Sequence, residues 1–108
     1  MPATKTGPLL LNATATGPGN WFGPTQVGPK TVQAHVQGTG AVSATVKIEV
    51  TNNPQLASSA ITALTINLSG TTTAVDGGTV TVPTWGYYRA NPTAVSGTGA
   101  TINVMIGE

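Results

Sequence analysis

The chain has 108 residues, of which 39% are hydrophobic and 6% charged, with a formal net charge of +1. That length holds one compact domain, and with no cysteine and no cluster of metal-binding side chains, neither disulfides nor zinc can staple it. Lys5, Lys30, Lys47 and Arg89 are scattered singly, which excludes the basic stripe of a nucleic-acid binder and long-range steering of a charged partner.

Met1 to Gly7 has no basic segment leading into an apolar run, and Leu9-Leu10-Leu11 is too short for a signal or a membrane span. The expectation is a soluble protein made without a cleaved leader, with no membrane partner. Gly-Pro steps at Gly7-Pro8, Gly17-Pro18, Gly23-Pro24 and Gly28-Pro29 then break the first thirty residues into short pieces. Residues 1–30 are predicted to be an extended Gly/Pro-rich arm. It carries a short strand over Leu9 to Thr16 and two aromatics, Trp21 and Phe22, that must find cover. Such an arm can lie along its own domain or reach to a neighbour.

From residue 31 to the end the pattern has period two, and about a fifth of the whole chain is threonine, which suits a half-exposed strand. Val32, Ala34 and Val36 alternate with Thr31, Gln33, His35 and Gln37, and Val42, Ala44, Val46, Ile48 and Val50 keep the same phase. Gly38-Thr39-Gly40 between the two runs predicts a hairpin that pairs Val36 with Val42 and sets His35 beside Ser43. Further strands are predicted over Leu64 to Ser69, Thr79 to Val82, Tyr87 to Val95 and Thr101 to Ile106, with Asp76-Gly77-Gly78 as a turn. Gly38-Thr39-Gly40-Ala41 recurs as Gly97-Thr98-Gly99-Ala100, which reads as the same turn chemistry used in two hairpins. The fold class is therefore all-β and antiparallel, with residues 31–108 as the body. A body this small has a thin core, so self-association into a homo-oligomer or docking on a larger assembly is expected.

Little in the chain supports catalysis. The acids Glu49, Asp76 and Glu108 are far apart in sequence, and His35, the only histidine, falls on an exposed strand face with no nucleophile elbow. No catalytic residue, cofactor or metal is assigned. Asn12-Ala13-Thr14 and Asn67-Leu68-Ser69 fit the glycosylation pattern, which short sequences often match by chance. Trp85, Tyr87, Tyr88 and Arg89 form the densest group of interface-type side chains. On a strand Trp85, Tyr87 and Arg89 share one face and Tyr88 and Ala90 the other. Sugar stacking on Trp85 or Tyr87 is one reading, and a packed subunit contact or core corner is the favoured one.

The stretch Tyr88-Arg89-Ala90-Asn91-Pro92-Thr93-Ala94-Val95-Ser96-Gly97-Thr98-Gly99-Ala100-Thr101-Ile102-Asn103-Val104-Met105-Ile106-Gly107-Glu108 resembles the ending of small virion proteins of tailed bacteriophages. Gly38 to Val46, then Asn52-Asn53 and Ser69-Gly70-Thr71, is similar to the same group, and together these cover about two thirds of the chain. The resemblance implies a capsid decoration or cement protein with a β-sandwich or jelly-roll-like body, bound to the major capsid protein or other virion subunits at the capsid surface. A tail, head-fibre or collar component is the nearest alternative, and a carbohydrate-binding β-sandwich module the next. Pro92 stands where that ending usually has an aliphatic residue. A proline lacks the N–H of a central ladder, so Tyr87 to Val95 is expected at an edge or at a bulge. Contact residues expected on these grounds are Trp21, Phe22, Trp85, Tyr87, Tyr88 and Arg89.

Overall fold

The computed structural model describes residues 6–25, 28–80 and 85–107. They form one antiparallel sheet of four strands: β1 (Thr6–Ala13), β2 (Lys30–Thr51), β3 (Ile61–Val80) and β4 (Tyr87–Gly107), in the order β1-β4-β2-β3. A single 3-10 turn, Ala57–Ser59, precedes β3, and no α-helix occurs among the described residues. The all-β antiparallel class read from the period-two pattern is thus correct.

The hairpin at Gly38-Thr39-Gly40 is not. β2 runs unbroken for 22 residues, and Gly38 to Gly40 lie in its middle. Asp76-Gly77-Gly78 likewise sits inside β3 instead of forming a turn. The strands predicted at Tyr87 to Val95 and Thr101 to Ile106 are the two halves of β4. Leu64 to Ser69 and Thr79 to Val80 belong to β3, while Thr81 and Val82 lie outside the described residues. His35 faces Val75 on one side and Asn103 on the other, and its Nε2 lies 2.7 Å from Thr73 Oγ1, so Ser43 is not its neighbour.

The glycines mark bends. A straight strand of 22 residues would span about 70 Å at ~3.3 Å per residue, yet the longest dimension of the molecule is 40 Å. β2 bends at Gly40 (φ 74°), β4 at Gly97 and Gly99 (φ 124° and 64°), and β3 at Thr72 (φ 63°). Thr39 pairs with Thr98, and Gln37 and Ala41 pair with Thr73 and Thr71 across an interrupted register, so the three bends are level. A positive φ is cheap only for glycine, and a local excess of residues on one strand kinks a ladder. The repeated Gly-Thr-Gly therefore reflects two neighbouring strands turning the same corner.

Bending brings the halves of the sheet together. Leu64 and Gly78 belong to the same strand and would be about 46 Å apart if it were straight. Instead, a Cβ on Gly78 would stand 2.7 Å from Leu64 Cδ2. Val32, Ala34 and Val36 from one half of β2 and Val42 to Val50 from the other join Ile66, Leu68, Tyr88, Ala90, Ile102, Val104 and Ile106 in a single buried cluster. The inward phase expected for β2 holds from Val32 to Val50, because each half keeps its alternation on either side of the bend, but Thr51, outward by that alternation, is buried with its hydroxyl 2.6 Å from Ser59 Oγ. Gly78→Val would drive a branched side chain into Leu64, and we expect it to cost about 1–3 kcal/mol. In a urea titration this appears as a lower midpoint with an unchanged slope.

Residues 6–25 run along β4 of the same chain, and their first part is itself a strand of the sheet. β1 pairs with the C-terminal half of β4, from Thr6 opposite Gly107 to Ala13 opposite Ile102. The chain then continues in the same antiparallel sense along the N-terminal half of the same strand. Gly17 N–H donates to Pro92 O (2.9 Å), Gly19 N–H to Ala90 O (2.9 Å), Phe22 N–H to Tyr88 O (2.7 Å) and Thr25 N–H to Gly86 O (2.8 Å), while Tyr88 N–H donates back to Phe22 O (3.0 Å). Pro18 falls between two donors, where its missing N–H is not needed. Pro92 itself sits at a bulge, since Thr45 pairs with Ala94 and Val46 with Pro92. The bulge accommodates it beside β2, as its lack of an N–H requires.

Candidate functional site

The six residues singled out from the sequence converge on the N-terminal half of β4, but most of their surface is spent inside the molecule. Tyr88 and Ala90 point inward and are fully buried. The Tyr88 backbone bridges Phe22, its hydroxyl accepts a long 3.4 Å hydrogen bond from Trp85 N–H, and the Lys30 ammonium stands 5.9 Å from its ring centroid. Lys30 is buried as well, donating from Nζ to Gly28 O at 2.8 Å. Phe22 packs over Gly7, where a Cβ would come within 2.9 Å of its ring.

The outward row carries the charge. Arg89 Nε donates to Glu49 Oε1 at 2.7 Å and Asn91 Nδ2 donates to Glu49 Oε2 at 3.0 Å, so one carboxylate is held by two neighbours on β4. Glu49 lies opposite Arg89 in the ladder, which aligns the pair directly. The Trp21 ring covers the guanidinium at 4.3 Å from Arg89 Cζ to the centroid, a cation–π contact. Tyr87 packs at Gly23, where a Cβ would fall 2.8 Å from Tyr87 Cδ2. Trp85 leans on the core cluster, and its carbonyl accepts from Thr25 Oγ1 at 2.8 Å. It is therefore not in the outward row with Tyr87 and Arg89, because it precedes the strand instead of belonging to it.

Two hollows adjoin this region and the bends. One, of about 400 Å³, lies between Pro8–Leu11 and Gly19–Phe22, with Leu11 60% exposed on its rim. The other, of about 520 Å³, sits at the corner of the sheet and is walled by Gln37, Gly38, Thr39, Thr72, Thr73, Gly99 and Thr101. Neither gathers titratable groups. Asp76 Oδ1 accepts from the Gly77 N–H at 2.8 Å, and among the described residues no group of three His, Asp or Glu could hold a metal ion.

The role of Glu49 was missed by reasoning from sequence. Its signal was available in the outward parity of Glu49 and Arg89, and it needed only the pairing of β2 with β4. No protein-family model matches this chain, and no curated protein and no solved structure is significantly similar to it.

Proposed function

We propose that the chain is a non-enzymatic structural protein of a tailed-bacteriophage virion, most simply a capsid decoration protein that bridges major capsid subunits at the head surface. The observation that carries this reading is how the titratable groups are used. Glu49 is held by Arg89 and Asn91, His35 meets Thr73, Asp76 binds its neighbouring N–H, and Lys30 is buried against Tyr88. What remains outside is an almost uncharged surface of Thr, Ser, Asn and Gln suited to broad contact. The resemblance of Tyr88 to Glu108 to virion proteins points the same way.

The body is sandwich-like, with both layers supplied by one bent sheet; the approach of Leu64 to Gly78 supports that description. Contact with the shell falls to the hollow flanked by Leu11 and Trp21, and many such weak contacts add through multivalency on a capsid lattice. Cosedimentation with undecorated phage heads tests the proposal. Saturable binding to heads is expected, and Trp21→Ala with Leu11→Ser should weaken it. Failure to bind heads, together with presence on isolated tails, would move the protein to a tail, fibre or collar position. Retention on a glycan array by Trp85 or Tyr87 would favour the carbohydrate-binding alternative.

A further inference from the structure

We infer that β3 is the edge at which two copies of this chain join, antiparallel, into one continuous sheet with four strands from each copy. The inference stands on the strand itself and does not depend on the virion reading.

The two outer strands of the sheet are treated very differently. β1 is 8 residues long, carries Pro8 and has register shifts between Pro8 and Leu10 and between Leu10 and Ala13. Short length, proline and irregular register are the usual protections of an edge. β3 is 20 residues long, has no proline, and carries no charge from Ile61 to Val75. From Leu64 to Thr71 it pairs with β2 without a shift. Alternate residues of such a strand turn both N–H and C=O away from β2, so its free side is a regular template for another strand.

The core is also left open at the start of this edge, although Ile66 and Leu68 further along it are buried. Val50 is fully buried, but Ile61, opposite it and on the same face, is 50% exposed. Leu64 is only half-buried beside a fully buried Ile48. Leu56, just before the strand, is exposed too, whereas the exposed Val75 near its far end belongs to the outward face, opposite His35. A further strand would supply the missing row.

A second copy fits this edge because the segment from Leu64 to Leu68 is complementary to itself, although Ile61 would then face Thr71. With a two-fold axis at Ile66, that residue faces Ile66 of the second copy, Leu64 faces its Leu68, and Thr65 faces its Asn67. Apolar positions meet apolar ones on the core side and polar meet polar outside. With no charge in the segment, the antiparallel match sets no like charges against each other. Such an interface is isologous and closes at two copies.

Light scattering on the full chain at tens of micromolar is expected to give the mass of two 10.8 kDa chains. Thr65→Lys with Asn67→Lys would set lysines against lysines across the axis, raising the dimer dissociation constant at least about 100-fold, with circular dichroism recording whether the sheet tolerates the added charge opposite Lys47 of the same copy. Thr65→Cys with Asn67→Cys in this cysteine-free chain should give a covalent dimer on mild oxidation. Thr31→Cys with Gln33→Cys, inside the sheet on β2, should not. A protein that remains a single chain, a trimer, or a dimer indifferent to the two lysines overturns the inference. Should the lysine variant not fold, absence of the cysteine crosslink overturns it alone. Head binding, measured separately, is untouched by either result.

Discussion

Tyr88→Ala is expected to destabilise the fold by about 3–5 kcal/mol, the cost of removing a large buried aromatic from a close-packed site. Tyr88 is the largest fully buried side chain, and it lies where β4, the segment at Phe22 and the Lys30 side chain meet. Its loss removes the aromatic wall beside the Lys30 ammonium as well as the packing, so the cavity cannot collapse without moving a buried cation. For a domain of this size the thermal midpoint should fall by more than about 12 °C, and such a loss is a large share of an ordinary stability. Tyr88→Phe isolates the hydroxyl, because it keeps the ring and deletes only the group that accepts from Trp85 N–H. A shift for Tyr88→Ala below about 1 kcal/mol would mean that the site is loosely packed, contrary to its complete burial.

Glu49→Ala should cost about 2 kcal/mol, short of the ~3–5 kcal/mol seen when a fully buried pair loses one partner. The two side chains retain 14% and 13% exposure, so water still screens them in part. Removing the carboxylate leaves Arg89 and Asn91 without their acceptor, and it frees the guanidinium on which Trp21 rests. The structural consequence should therefore reach the segment 17–25. Faster hydrogen exchange is expected at the Gly19 and Phe22 amides, which bond to Ala90 and Tyr88. A cycle of Glu49→Ala, Arg89→Ala and the double variant isolates the pair. A coupling near zero would assign the anchoring of that segment to its backbone hydrogen bonds alone.

Both expectations concern a site only half legible beforehand. Its members were recognisable by type: Trp21, Phe22, Trp85, Tyr87, Tyr88 and Arg89 are the side chains that anchor contacts. Alternation also separated Tyr88 and Ala90 from Tyr87 and Arg89, as observed, but it set Trp85 with the latter pair, whereas Trp85 precedes the strand and leans on the core. What they contact did not follow. Trp21 meets Arg89 and Phe22 meets Tyr88 across more than sixty residues of chain, and Gly-Pro punctuation says only that the early segment is irregular, not where it lies.

The glycine readings show the same division. Gly38-Thr39-Gly40 was read as a hairpin loop and is a bend within one strand, while the apolar phase on either side was correct in every residue from Val32 to Val50. A local signal of this kind says that the backbone needs a positive φ or room for a neighbour. It does not say whether the chain reverses or bends and continues. That choice depends on what pairs alongside, and here β3 and β4 bend at the same level, which keeps both halves of all three strands in register.

The amino-acid sequence by itself thus determined the all-β class, the inward and outward faces of β2 from Val32 to Val50, and the scarcity of charge, because these are properties of alternation and composition that act within a few residues. Only the tertiary structure decided that the strands are long and bent, that residues 6–25 close one side of β4, and that Glu49 is held by Arg89 and Asn91. It also decided that, among the described residues, β3 is an outer strand of the sheet. Each of those outcomes rests on hydrogen bonds and packing between segments distant in the chain, whose partners no local pattern specifies.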